Sequence, residues 1–320
     1  MTIAEAAALI ASCKHEFAKK IVGQDDVITG ILTGIVCNGH VLLEGVPGLA
    51  KTLAVKTLAE ISALDFKRIQ FTPDLLPSDI TGNLIYESAK NGFSVSKGPI
   101  FSNIVLADEI NRSSAKVQSA LLEAMAEKQV TIGGTTYALD DAFFVFATQN
   151  PIESEGTYRI PESEADRFLL KLLVPYPSAT EECAILVSAD SINSINSSTK
   201  PQQVLSRDTI RQLQQTARSI VCDEKLMQYI VAIVNATRDK GSVHVPSDIA
   251  LGASPRASIA LLACARAAAL FAGRDYVLPE DIKQNACAAL RHRIILSFEA
   301  ASDMSADDAI EKILKKVALP

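Results

Sequence analysis

The run His40 to Gly45 (HVLLEG) opens directly into Gly45-Val46-Pro47-Gly48-Leu49-Ala50-Lys51-Thr52 and then into the helical pattern LAVKTLAEISA. A strand, a Gly-rich turn, a lysine, a hydroxyl and a helix in that order describe a phosphate-binding loop. Backbone N–H groups and the helix N-terminus cradle a β-phosphate, Lys51 neutralises β/γ charge and Thr52 ligates Mg²⁺. The candidate nucleotide-binding residues here are Gly45, Val46, Pro47, Gly48, Leu49, Ala50, Lys51, Thr52 and Leu53. Where a glycine is expected before the lysine stands Ala50, whose methyl is tolerable only if that residue keeps ordinary helical φ and ψ.

Such a loop needs a sheet to stand on. Up to about Pro175, short apolar runs alternate with helical patterns, which predicts a parallel α/β sheet sandwiched by helices. FKRIQFT (66 to 72), NIVLADE (103 to 109) and AFFVFATQN (142 to 150) join HVLLEG as the core strands. Two further segments alternate around turns, NLIYESAKNGFSVSKG at Lys90-Asn91-Gly92 and KQVTIGGTTYALD at Gly133-Gly134. Both read as hairpin insertions projecting from the core. After Pro175, Tyr176 and Pro177 the strand signal gives way to Ala/Leu/Ile helices. The expected division is therefore a nucleotide-binding core over 1–175 and an all-helical lid domain over 176–320. SINSINSSTKPQ (191 to 202) reads as a loop between lid helices.

Ligands of open parallel sheets gather at the carboxyl ends of the strands, and three of the four runs end in reactive residues. One ends in adjacent acids. Asp108 is suited to hold Mg²⁺ through its water shell, and Glu109, on the other side of the strand, to polarise an attacking water. Another ends in Gln149, Asn150 and Pro151; Asn150 can orient the γ-phosphate or the water if its strand neighbours that of Asp108.

Composition narrows the classes left open. A net charge of −6 argues against broad attraction to nucleic acid or an anionic membrane, and 5% aromatic residues without tryptophan argue against a stacking platform. The first residues, MTIAEAAALIASCK, lack a basic leader and read as an amphipathic helix. The longest apolar stretch, Ala257 to Ala272, includes Arg266 and reads as a buried lid helix, so no membrane insertion is expected. No two of the six cysteines lie closer than Cys264 and Cys287, which excludes C-x-x-C spacing and suits reduced thiols in a cytoplasmic protein. His15, His40, His244 and His292 form no ligand cluster with acids.

GVPGLAKT, LADEINRS, ATQNP, EGTYRIPESEADRFLLK and GASPRAS resemble, in order and spacing, the MoxR family of AAA+ ATPases over nearly the whole chain. The resemblance implies Walker A at Gly45 to Thr52, Walker B at Asp108 and Glu109, and sensor 1 at Asn150. It also implies an arginine finger at Arg167, with Arg159 as the second candidate, and sensor 2 at Arg256. A lid cation at Arg256 contacts ATP and loses its partner after hydrolysis, so the lid angle reports nucleotide state. Val22, Gly23 and Gln24 are similar to the segment that lies over adenine. The implied activity is Mg²⁺-dependent ATP hydrolysis in a hexameric ring. That ring remodels, matures or inserts a cofactor into a protein client, often a von Willebrand A domain protein. The alternative is a nucleic-acid motor or loader, opposed by a hairpin, QVTIGGTTYALDD, with no Lys or Arg. A small-molecule phosphotransferase is disfavoured by Glu109, Asn150, Arg167 and Arg256 together.

Overall fold

In the computed structural model, residues 1–151, 157–193, 200–238 and 248–320 are described. His244 and the Glu155-Gly156 start of EGTYR lie outside them, as does the middle of SINSINSSTKPQ, whose first three residues complete a helix.

The chain opens with α1 (Ile3–Ala18), whose N-terminus is closed by a reciprocal Thr2/Glu5 capping box. Ala6, Ile10, Cys13 and Phe17 bury one stripe of it, as the amphipathic reading expects. Then follow α2 (Asp25–Val36), β1 (Val41–Glu44), α3 (Lys51–Ile61), β2 (Phe66–Gln70), α4 (Pro77–Thr81), the hairpin β3 (Gly82–Glu87) and β4 (Gly92–Lys97), and β5 (Ile104–Asp108). α5 (Ala115–Glu127), the hairpin β6 (Gln129–Ile132) and β7 (Thr135–Ala138), β8 (Phe144–Gln149), α6 (Glu162–Ala165) and β9 (Leu170–Leu173) complete the sheet region. Both hairpins form at the expected turns: Asn91 is left-handed, and Gly133 and Gly134 both have positive φ, the geometry that matches strand twist.

The core sheet has the order β2-β5-β8-β1-β9 and is parallel throughout. Its fifth strand, β9, extends the four expected runs. Its LKLL pattern buries Leu170 and Leu172 and leaves Lys171 and Leu173 outward, which is the weak period-two signature of an edge strand. From β1 the chain leaves towards β2 and later returns to β9 on the other side of β1. The carboxyl end of β1 is thus the switch point where a ligand crevice opens.

The central strands β5 and β8 feed two layers. Ile104 and Leu106 of β5, with Phe144 and Phe146 of β8, pack with the layer that holds α1, α2 and the later helices. Val105, Ala107, Val145 and Ala147 pack with the opposite layer under α4 and α5. Full burial on both faces explains why these strands read as unbroken apolar runs.

α7 (Ala179–Asn193), α8 (Arg207–Ser219), α9 (Glu224–Asn235), β10 (Ile249–Leu251), α10 (Pro255–Phe271), α11 (Pro279–Leu290), β11 (Ile295–Leu296) and α12 (Ala306–Lys316) complete the chain. This region departs from an all-helical lid: β10 and β11 pair antiparallel, Ile249 opposite Leu296. Strands of two and three residues are too short to carry a periodic signal. The apolar stretch read as a buried helix is α10, with Leu261, Cys264, Ala265 and Leu270 fully buried against α1 and α8. No described helix is long and apolar enough to cross a membrane.

His40, just before β1, accepts from Val145 N–H at 3.0 Å and ties β1 to β8. Burial holds its imidazole neutral, with the pKa pushed down to about 4. Below pH 6.5 the unfolded chain binds a proton that the folded chain refuses, so stability falls from there towards pH 4. The loss from His40 alone is about 2 kcal/mol at pH 5. Urea unfolding of wild type and His40→Asn at pH 7 and pH 5 checks this; the wild-type loss on acidification should exceed the variant's by that amount.

Candidate active site

Lys51 is the first residue of α3, so its side chain starts where the loop's N–H groups converge. Its Nζ donates to the carbonyls of Gly45 at 2.5 Å and Val46 at 2.7 Å. Partial burial lowers its pKa, and the carboxylates of Asp108 and Glu109 oppose that shift. Gly45 has no room for a side chain, since a Cβ would stand 2.9 Å from the Val174 carbonyl. Gly48 is left-handed and its missing Cβ faces open space, where a ligand can approach the backbone.

Ala50 departs from expectation. Instead of helical angles it has φ 56° and ψ 16° and caps α3 in the left-handed region. The turn that presents Lys51 demands that conformation whatever the side chain, and for a non-glycine residue it costs about 1–2 kcal/mol. Ala50→Gly is therefore expected to raise the unfolding free energy by about 1 kcal/mol with nucleotide affinity preserved. Denaturant melts paired with nucleotide titrations check both halves.

β5 and β8 are neighbours, with Ala107 opposite Ala147, so Asp108, Glu109 and Asn150 arrive at one end of the sheet. Asp108 is buried and heavily bonded. Its Oδ1 accepts from Thr148 Oγ1 at 2.5 Å, and its Oδ2 from Thr52 Oγ1 at 3.2 Å and from Arg68 Nε and Nη2 at 2.9 and 2.7 Å. The Thr52 hydroxyl beside a carboxylate is an all-oxygen donor set that fits a hard divalent cation, most simply with Asp108 acting through water.

Glu109 gets its direction from a turn instead of strand alternation: β5 stops at Asp108, and Glu109 has φ 57°. Its N–H donates to Thr148 Oγ1 at 2.8 Å, and its Oε2 accepts from Gln70 Nε2 and Arg112 Nη1, both at 3.0 Å. Gln70 Oε1 in turn accepts from Arg68 Nη2 at 2.6 Å, which links the two acids across β2. Asn150 is buried, and its carbonyl accepts from Asn111 Nδ2 at 3.2 Å. Sequence reasoning did not find Arg68, Gln70, Arg112 or Thr148. Arg68 and Gln70 share one face of β2, but only the order β2-β5 brings that face to Asp108.

Pro47 through Leu53, with Arg68, Asp108, Glu109, Thr148 and Asn150, line one cavity of about 530 Å³. An adjoining apolar cavity of about 260 Å³ shares Gly48, Leu49, Ala50 and Leu53 and adds Ile21, Val22, Gln24, Pro177 and Ile185, a lining suited to a flat heterocycle. Gln24 Nε2 donates to the Pro175 carbonyl at 3.0 Å, and left-handed Gly23 backs so closely on Glu181 that a Cβ would collide with its carboxylate.

Arg167 and Arg256 are elsewhere. Both line a separate cavity of about 340 Å³ with Lys128, Asp166 and Arg293, and neither reaches the cavity of Lys51. Arg256 therefore stands apart from the Lys51 cavity of its own chain. Its Nη1 lies 3.8 Å from Asp166 Oδ2 and its side chain is 59% exposed. Arg167 Nε lies 3.4 Å from Glu164 Oε2, and its buried Nη1 has no hydrogen-bond partner among the described residues. Arg159 is exposed.

Residues 40–170 match the model of the ATPase family associated with various cellular activities (AAA), and residues 244–313 match the AAA lid domain. Over 311 residues the chain is 47% identical to Chaperone MoxR1 of Mycobacterium tuberculosis, covering 95% of this chain and 81% of that protein. The chain belongs to the MoxR family of AAA+ ATPases. Protein MoxR of Methylorubrum extorquens is 28% identical over 325 residues, spanning 96% of this chain and 94% of that one. A crystal structure of a candidate ATPase from Cytophaga hutchinsonii superposes with a TM-score of 0.91 at 48% identity, over 99% of this chain and 97% of that one. In this MoxR-family chain the matched AAA segment contains β1, β2, β5, β8 and both hairpins and ends where β9 begins, while the lid match contains Arg256.

Proposed function

We propose that this MoxR-family protein hydrolyses ATP with Mg²⁺ in a head-to-tail ring, and that the cycle remodels or matures a protein partner. The observation that carries the reading is the division of charge: the phosphate loop and both acids share one cavity, whereas Arg167 and Arg256 share another that holds no phosphate loop. Each cavity is half of a site, and a rotation that repeats around a ring joins the halves of neighbouring subunits.

In the joined site the N–H groups of residues 48–52 and the Lys51 side chain hold the β- and γ-phosphates, and the apolar cavity beside Val22 and Gln24 takes the base. A magnesium ion on Thr52, with Asp108 behind its water shell, would neutralise phosphate charge. Glu109 accepts a proton from the attacking water, Asn150 orients that water, and Arg167 and Arg256 of the neighbour stabilise charge on the γ-phosphoryl oxygens. A hexamer, a cytoplasmic location and a von Willebrand A domain client are the parts of this reading that rest on family resemblance. Support for protein remodelling comes from the similarity to a protein named as a chaperone.

If nucleotide bridges two subunits, it is part of their interface and should promote assembly. Light scattering across a concentration series, with Glu109→Gln to slow turnover, should show larger particles with ATP than without nucleotide. A monomer of unchanged mass at every concentration and nucleotide state would remove the ring from the account.

A further inference from the structure

Asp166 stands immediately before Arg167 in the chain and meets the lid with its side chain. Its Oδ1 accepts from Arg293 Nε at 2.8 Å, and its Oδ2 accepts from Ser254 Oγ at 2.7 Å, with Arg256 Nη1 at 3.8 Å from the same oxygen. Ser254 is also the N-cap of α10, accepting from Arg256 N–H at 3.1 Å, so the carboxylate grips the turn that projects Arg256. Arg293 follows α11 and is 3% exposed. Its guanidinium straps the segment that carries Arg167: Nη2 donates to the carbonyls of Asp166 at 3.2 Å and Phe168 at 2.6 Å, and Nη1 to Leu169 at 3.1 Å and to Ala289. A planar fork can hold several carbonyls and a carboxylate at fixed angles, which a lysine cannot do.

Two cations from distant segments of the chain are thus tied to one ion pair, whose Arg293 side is buried. Neither Asp166 nor Arg293 lines the cavity of Lys51. We propose that the Asp166–Arg293 pair is a positioning clamp that presents Arg167 and Arg256 as one rigid two-cation unit to the nucleotide held by the neighbouring subunit. The proposal rests on the shared-site reading above and adds the residues that make the shared half precise in geometry. The bonds from Arg293 to the carbonyls of Asp166, Phe168 and Leu169 fix the backbone from which Arg167 projects; a displacement of about 1 Å at such a group can cost about 10²-fold in rate.

Asp166→Asn and, as a variant that keeps the buried charge, Arg293→Lys separate clamp from scaffold. Each should lower kcat by about 10²-fold while leaving ATP affinity, read by calorimetry, within about twofold. The discriminating readout is subunit mixing. Asp166→Asn has an intact phosphate loop and Glu109, so mixing with Glu109→Gln, which has an intact clamp, should restore hydrolysis. Mixing with Arg167→Ala should not, because both then lack a usable finger. Recovery with Arg167→Ala, or with neither partner for both clamp variants, overturns the clamp, as does loss of ATP affinity along with kcat. Glu109→Gln mixed with Arg167→Ala is the control: if that pair fails to recover, the shared site itself is wrong, whereas its recovery confines any failure to the clamp.

Discussion

Lys51→Ala should lower ATP affinity by about 10²-fold, whereas Glu109→Gln should bind ATP about as tightly as wild type and hydrolyse it some 10²- to 10⁴-fold more slowly. The two effects separate because the groups do different work. Lys51 is the cation at the focus of the loop, with its Nζ held by the Gly45 and Val46 carbonyls, and its removal leaves phosphate charge uncompensated in a partly buried place. Glu109 lies past the end of β5, and a glutamine there keeps an oxygen to accept from Gln70 or Arg112 while losing the basicity that activates water. Calorimetry gives the affinities and phosphate release the rates. Wild-type turnover in Glu109→Gln would strip Glu109 of its assigned role.

Arg167→Ala carries the second large effect, a loss of about 10³- to 10⁵-fold in turnover, the range typical of an arginine finger. ATP affinity of the isolated subunit should stay unchanged, because Arg167 lines a different cavity from Lys51. Fluorescent-nucleotide titration of dilute protein checks the affinity, and steady-state kinetics the rate. If dilute monomer lost ATP binding on this substitution, Arg167 would act on its own subunit's nucleotide.

Much of the site was legible because its signals are local. A strand that ends in a Gly-rich turn and a lysine, and another that ends in two acids, specify backbone geometry within a few residues. The parallel sheet was legible too, since strands buried on both faces read as unbroken apolar runs. What escaped depends on which elements become neighbours. Arg68 and Gln70 matter because β2 lies beside β5, a fact of strand order that no short window contains. β9 escaped because an edge strand buries only alternate residues. Ala50 misled in a different way: residue type argues for helical angles, but the turn that aims Lys51 overrides propensity and imposes a left-handed backbone. The placement of Arg256 beside Arg167 follows from how the lid packs and from the bonds to Asp166, neither of which is encoded in the motif around either arginine.

The measurement that bears most directly on the shared site mixes two nearly inactive proteins, Glu109→Gln and Arg167→Ala, under conditions where subunit exchange is verified. In a random equal mixture about a quarter of head-to-tail interfaces pair an intact Glu109 with an intact Arg167 of the neighbour. Hydrolysis well above the sum of the separate variants, approaching that fraction of wild type where coupling around the ring is weak, is the predicted result. No recovery despite confirmed mixing would contradict it, placing Arg167 in its own subunit's reaction and turning the search for the finger to Arg159.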